Sequence, residues 1–284
     1  MTEAELRRFL SKVGLVGSNA QLHKFNGGLH NSVWRVSTCD RRLVAKEYST
    51  AVTGTLFPNT PEDEAEALQR LAGLKVAPNL IGFWPEVKLL VYDYVEGEMW
   101  DDDVVGVADL LLRKEIADPT GFRHVALTCE DILAEGDALF ARCKRIPEAS
   151  RPRPTDVSRA KKLSLIHTDV GVNLVGAGVG LRLIDWQCPA VGDICEDIYS
   201  FLSPAFQILG ERPPLTALQI RNFWDALQRP DLAQRYTQMR AAFAWRFAGY
   251  CAWRAEVLDD AGICARYGHS LNAEFRYMKA SNDC

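Results

Sequence analysis

No stretch of this sequence approaches the roughly 18 consecutive apolar residues of a membrane-spanning helix. Its start, MTEAELRRFL, has no charged-then-apolar leader pattern. We therefore expect a cytoplasmic chain with no membrane partner. Basic runs are missing too, and 33 Lys and Arg against 37 Asp and Glu give a formal net charge of -4. That balance argues against a nucleic-acid partner, whose surface would depend on counterion release. The eight cysteines are scattered without a C-x-x-C pair, so neither a zinc site nor a redox motif is indicated, and they read as reduced thiols packed as small apolar side chains. The absence of a G-x-x-x-x-G-K-[ST] run excludes a P-loop enzyme. GAGVG at 176 to 180 is no dinucleotide fingerprint, because the strand LRLIDW follows where a helix is required. Those glycines are expected to turn a hairpin.

What is present is an ordinary composition, 48% hydrophobic and 25% charged over 284 residues, enough for two packed layers or two lobes. Thr2 and Glu5 form a capping box ahead of Leu6, Phe9, Leu10 and Val13 at helical spacing. Three short alternating runs follow through LHKFNGGLHNSVWRVST and RRLVAKEYS, suiting an antiparallel meander. NTPEDEAEALQRLAGLKVAP predicts a helix with Thr60 as cap, Pro61 in its first turn and Gly73 as stop. LIGFWPEVKLLVYDYVEG supplies two more strands. Beyond Gly97 the pattern turns helical, at about 128 to 144, 194 to 202, 215 to 228, 231 to 258 and 268 to 279, with RPRPTDVSR at 151 to 159 as a connector.

Chemistry concentrates in LSLIHTDVGVNLVGAGVGLRLIDW, residues 163 to 186. The apolar runs Leu163 to Ile166 and Leu181 to Ile184 read as a strand pair, and each ends in a polar cluster holding an aspartate. A carboxylate at the end of a buried strand must find a cation or a donor, or take up a proton. Lys46 alternates with Val44 and Tyr48, so its ammonium shares a face with apolar neighbours and needs an anion opposite. Glu64 on the capped helix is the natural partner.

NGGLHNSVWRV, LVAKEY, DEAEALQRLAGLKVAP, LLVYDYVEG, LIHTDVGVNL, LRLIDW and GDICEDIYSF occur in the order seen in the aminoglycoside phosphotransferase and choline kinase family, relatives of the protein kinases, which the chain resembles over residues 20 to 205. The resemblance implies an α+β, two-lobed protein-kinase-like fold, with a β-rich N-terminal lobe at 1 to 95 and a mostly helical C-terminal lobe at 96 to 284. It implies ATP-dependent, magnesium-assisted transfer of the terminal phosphate to a hydroxyl of a small molecule. By the same resemblance Asp169 looks like the catalytic base, His167 a prop for its loop, and Asp185 and Asn173 the magnesium ligands. Asp197 is expected to brace the loop. Gly27 and Gly28 let a turn lie close over the phosphates beside Lys46 and Glu64, and main-chain groups of Asp93, Tyr94 and Val95 hold adenine. The chain departs from the family at one point: Asn173 follows Asp169 by four positions, where H-R-D-x-x-x-x-N loops have five. Gly171 is the residue expected to absorb the lost position, through backbone angles closed to others.

Two features bear on the acceptor. Glu96, Glu98, Asp101, Asp102 and Asp103 stand just past the lobe junction. FAWRFAGYCAW puts Trp245 and Trp253 on one helical face, with Phe243, Phe247 and Tyr250 on another. Carboxylates with aromatic faces suit a cationic acceptor of the amino alcohol (choline or ethanolamine) or aminoglycoside type over a neutral sugar, although an acidic run is also an ordinary solvated face and an aromatic stripe an ordinary core, which leaves the sugar open. The rival reading is a catalytically weak, kinase-like nucleotide-binding regulatory protein. A kinase acting on protein chains fits less well, since D-W replaces D-F-G and no A-P-E follows. Nothing in the sequence speaks to oligomeric state.

Overall fold

Alternation along RLVAKEY decides which side of the first sheet meets the rest of the protein. The computed structural model describes residues 1–17, 19–25, 31–49, 55–145 and 148–279. Within it β1 (Gln21–Lys24), β2 (Asn31–Ser37), β3 (Arg42–Tyr48), β4 (Leu80–Trp84) and β5 (Leu89–Asp93) form an antiparallel sheet in the order β1-β2-β3-β5-β4. Leu43 and Ala45 point to one face, where Leu6 and Leu10 of helix α1 (Glu3–Lys12) close a small core with Trp34, Val36 and Val91. Val44 and Tyr48 point to the other, joining Leu90, Tyr92 and the apolar stripe of helix α2 (Pro61–Arg70) in the main core. The Thr2 and Glu5 capping box of α1 forms as the sequence predicts. Thr60 precedes α2, but its hydroxyl donates to the Gln187 carbonyl at 3.1 Å instead of capping. That residue therefore ties the two halves of the chain together.

Beyond residue 96 helices dominate: α3 (Val104–Lys114), α4 (Cys129–Phe140), α5 (Ile194–Leu202), α6 (Pro204–Leu209), α7 (Ala217–Leu227), α8 (Pro230–Val257) and α9 (Ala261–Lys279). This α+β architecture is the predicted one. Short strands β6 (Ser164–Ile166), β7 (Leu174–Val175), β8 (Arg182–Leu183) and β9 (Ala190–Gly192) are set among them. Here the structure corrects the expectation from sequence, because the two aspartate-ended runs do not pair with each other. β6 pairs with β9, Ser164 opposite Gly192, where an added Cβ would strike the Ile166 side chain. β8 pairs with β7 across the GAGVG turn. The segment Leu174–Val175 takes the partner that β6 was expected to have, and so frees His167 to Asn173 as a loop.

No helix among the described residues is long and apolar enough to cross a membrane. The seven described cysteines are free, four of them buried.

Buried Glu274 on α9 accepts the Ser203 hydroxyl at the start of α6 and, at 3.3 Å, the Ala205 N–H. Burial raises its carboxyl from 4.5 to about 7. The folded value lies above the unfolded one, so this group contributes stability that is full below pH 4.5 and lost as pH rises through about 7. Relative to the native chain, Glu274→Gln should gain stability between pH 5 and 8, by up to about 3 kcal/mol, because each pH unit separating the folded and unfolded values is worth about 1.4 kcal/mol. Melting curves of both proteins across that range check this; a pH-independent difference would refute it.

Candidate active site

Lys46 sits mid-strand on β3, between Val33 of β2 and Leu90 of β5, and is only 2% exposed. An ammonium there must be paired. Its Nζ lies 2.6 Å from Glu64 Oε2, in the first turn of α2, and also contacts the Asp185 carboxylate across the cleft. The Tyr48 hydroxyl donates to the same Glu64 oxygen. Burial alone would lower the Lys46 ammonium, but Asp185 and Glu64 outweigh it and hold it above its ordinary value.

The loop after β6 is fixed from below by Asp197 on α5. This carboxylate accepts the N–H of His167 at 3.0 Å and of Thr168 at 2.8 Å. It pairs at 2.9 Å with Lys114 of α3, both side chains being wholly buried. Lys114 also donates to the Leu165 carbonyl at 2.6 Å. These bonds hold Thr168 at φ 71°, a left-handed conformation costly for a β-branched residue. His167 is neutral with its proton on Nε2: that nitrogen donates to the Ile184 carbonyl at 2.9 Å while Nδ1 accepts the Asp169 N–H at 3.2 Å. Burial, opposed by Asp197, lowers its pKa to about 4. The imidazole thus ties the Asp169 backbone to the strand leading into Asp185, which itself sits at φ 62°.

The shortened loop closes through a single 3-10 turn, Val170–Val172, and the Asn173 side-chain N–H donates to the Asp169 carbonyl at 2.9 Å. Ser200 accepts the Val170 N–H at 3.0 Å, and Arg212 donates to the Gly171 carbonyl. Gly171 is required here for space and not for unusual angles, contrary to the sequence expectation. Its φ is outside the left-handed region, but an added Cβ would clash with the Ser200 carbonyl and lie 2.8 Å from Phe206 Cβ. The strained angles fall on Thr168 and Asp185 instead. Gly171→Val should therefore displace the loop, costing about 1–3 kcal/mol in stability through overpacking and lowering turnover, although valine faces neither reactant. A variant with native melting temperature and native rate would show the close approach to be unimportant.

The structure brings Lys46, Asp169, Asn173 and Asp185 to one cavity of about 450 Å³, with Glu64 directly behind Lys46 and His167 beneath the loop. Burial and the nearby Asp185 carboxylate raise the Asp169 carboxyl well above its usual range, against the effect of Asn173. Gly27 and Gly28 lie outside the described residues. Asp93, Tyr94 and Val95 do not border this cavity, whereas Tyr92 does. The N–H groups of Asp93 and Tyr94 are taken by the carbonyls of Asn79 and Arg42, at 3.0 and 3.1 Å. The acidic run is also elsewhere: Glu96 pairs with Arg42 at 2.7 Å, and Asp103 caps α3 through Gly106. Trp245 is buried against Phe140 and donates to Asp137, while Phe247 and Tyr250 do reach the cavity wall.

Sequence reasoning missed Lys114, although a signal existed. Val104, Val107, Leu111 and Lys114 lie along one helical face, so this lysine occupies the apolar stripe of α3.

A strand lysine paired with a helix glutamate stands above a loop and a strand end that each present an aspartate, in a protein-kinase-like fold. No protein-family model matches the chain. In sequence it is similar to the thiamine kinase of Escherichia coli, 27% identical over 188 residues, which cover 61% of this chain and 63% of that enzyme. The match thus spans less than two thirds of that relative's length. In structure it is similar to the choline kinase LicA of Streptococcus pneumoniae, with a TM-score of 0.65 and 15% identity over 97% of this chain and 99% of the other. It is also similar to the spectinomycin phosphotransferase APH(9)-Ia, solved with ADP and spectinomycin, with a TM-score of 0.60 and 11% identity over 99% and 94%.

Proposed function

We propose that the chain is an ATP-dependent phosphotransferase acting on a hydroxyl of a small molecule, with residues 1 to 95 as the nucleotide-clamping lobe and 96 to 284 as the lobe that carries the loop and the acceptor. The observation that supports it most is the convergence of Lys46, held by Glu64, with Asp169, Asn173 and Asp185 on one cavity. Lys46 orients the phosphates. Adenine lies on the Tyr92 side of the cavity, and of the three junction residues after it only Val95 has an N–H without a partner among the described residues, since Asp93 and Tyr94 have spent theirs.

The donors suit magnesium. Asp185 offers a carboxylate, and Asn173, its Nδ2 committed to the loop, offers the amide oxygen. Two protein oxygens are enough for an ion that completes its shell with water and phosphate. When bound, magnesium neutralises phosphate charge. Asp169 accepts the proton of the acceptor hydroxyl as that oxygen bonds to the γ-phosphorus. The bond from this phosphorus to the β–γ bridging oxygen breaks, and ADP leaves with the electron pair. A raised pKa strengthens Asp169 as a base once it is ionised.

The regulatory alternative rests on the shortened loop, yet the loop still seats Asn173 against Asp169. Asp185→Ala should abolish the magnesium dependence of ATP binding. Calorimetry with and without magnesium tests this: the native chain should bind ATP more tightly with the ion and the variant equally in both, while a variant retaining the native magnesium dependence would remove Asp185 from the metal site.

A further inference from the structure

Arg254, near the C-terminal end of α8, is a buried cation short of partners. It is only 6% exposed; it donates one hydrogen bond to the Tyr267 hydroxyl, and among the described residues its Nε and Nη2 have no hydrogen-bond partner. On the same helix Arg246 is equally buried but pairs with Glu196 at 2.6 Å and Glu135 at 3.0 Å. No such carboxylate meets Arg254 among the described residues. Tyr250, Trp253 and Tyr267 stand with ring centroids 5.7 to 5.9 Å from its guanidinium carbon. Rings satisfy the face of a guanidinium, but its N–H groups lie in the plane and call for oxygens. A desolvated guanidinium without an anion is costly.

Arg254 borders the same cavity as Asp169. Arg266 also borders it and is paired at 2.7 Å with Glu211 at the rim. Among the described residues the only acids lining the cavity are Asp169 and Asp185, and the run Glu96 to Asp103 is absent from it. Phe57, Phe206, Phe247 and Tyr250 give it an aromatic wall, next to the aliphatic Leu209 and Ile263. An ammonium would find rings there but an arginine where it needs a carboxylate.

We infer that the acceptor carries an oxyanion, a carboxylate or phosphate monoester, which Arg254 receives in the plane of its guanidinium while the apolar or ring-bearing body of the molecule lies on the aromatic wall. That this anion is the acceptor rests on the phosphotransferase reading, but the anion site itself does not depend on turnover.

The test uses the whole chain without ATP and three probes differing in one group: 4-hydroxyphenylacetate, neutral 4-hydroxyphenylethanol and the ammonium tyramine, with phenyl phosphate as a second anion. Binding is read by thermal shift and calorimetry on the native chain, Arg254→Lys and Arg254→Met. At least one anion should bind more tightly than the neutral and cationic probes, and the better of the two anions identifies carboxylate or phosphate as the group. The preference should fall at least tenfold in Arg254→Met and partly in Arg254→Lys, which keeps the charge but loses the fork and serves alone if the methionine variant does not fold. Tyramine binding best, no anion preference, or a preference unchanged by the substitutions would overturn the inference. Failure of phosphate transfer with this anion preference intact would instead remove the phosphotransferase reading and leave the site.

Discussion

Replacing Asp169 by asparagine is expected to lower turnover about 10²- to 10⁴-fold, the usual cost of losing a general base, while magnesium-ATP binding stays within a few-fold of native. Asparagine keeps the shape of the side chain, and the contacts that fix the loop run through main-chain groups: the Asp169 N–H to His167 and its carbonyl to Asn173. The substitution therefore removes a proton acceptor without moving the loop. It also removes one of two facing carboxylates, since Asp185 is close enough to raise the Asp169 pKa, so the variant should be no less stable than the native chain. Steady-state kinetics with calorimetry on the same preparation check both halves. A rate within a few-fold of native would take the base away from Asp169.

Lys114→Met should produce the largest loss of stability, about 3–5 kcal/mol, because it leaves the wholly buried Asp197 without its cation. Asp197 keeps the N–H groups of His167 and Thr168, so the fold survives in weakened form. The carboxylate, no longer anchored from α3, should then shift, loosening the very bonds that hold Thr168 in its left-handed conformation. Turnover should fall with stability even though Lys114 touches no reactant. The double variant Lys114→Met with Asp197→Asn separates the causes: it should recover part of the stability and little of the rate, since asparagine can accept from only one side. Chemical denaturation of the single and double variants tests this, and an unchanged unfolding midpoint in Lys114→Met would contradict it.

Local rules made the first hundred residues readable. A capping box, a proline opening α2 and strict alternation along β3 each act within a few residues, and alternation alone put Lys46 on the inward face. Strand pairing in the second lobe was less readable, because nothing in LSLI or LRLI says which edge each will meet. Leu174–Val175 is too short to announce itself as a strand, yet it takes β8 as its partner. Gly171 was singled out for the wrong reason: a glycine in a shortened loop suggests unusual angles, whereas the constraint comes from Ser200 and Phe206, some thirty residues on. Lys114 and Arg254 were missed for a related cause. A charged letter inside an apolar helix reads as a solvated exception until the chain folds and shows Lys114 against Asp197 and Arg254 beside the cavity. In the acidic run after the junction, Glu96 pairs with Arg42 and Asp103 caps α3, the solvated-face use that its letters also allow.

Phosphate transfer itself is measured most directly by phosphorus-31 NMR of the native chain with magnesium-ATP and a panel of hydroxyl compounds spanning amino alcohols, aminoglycosides, neutral sugars, hydroxy acids and sugar phosphates. ADP and one new phosphate monoester should appear in equal amounts with at least one class, and neither should appear with Asp169→Asn. Bound ATP that yields no phosphate monoester with any class would contradict the phosphotransferase reading and leave a nucleotide-binding protein.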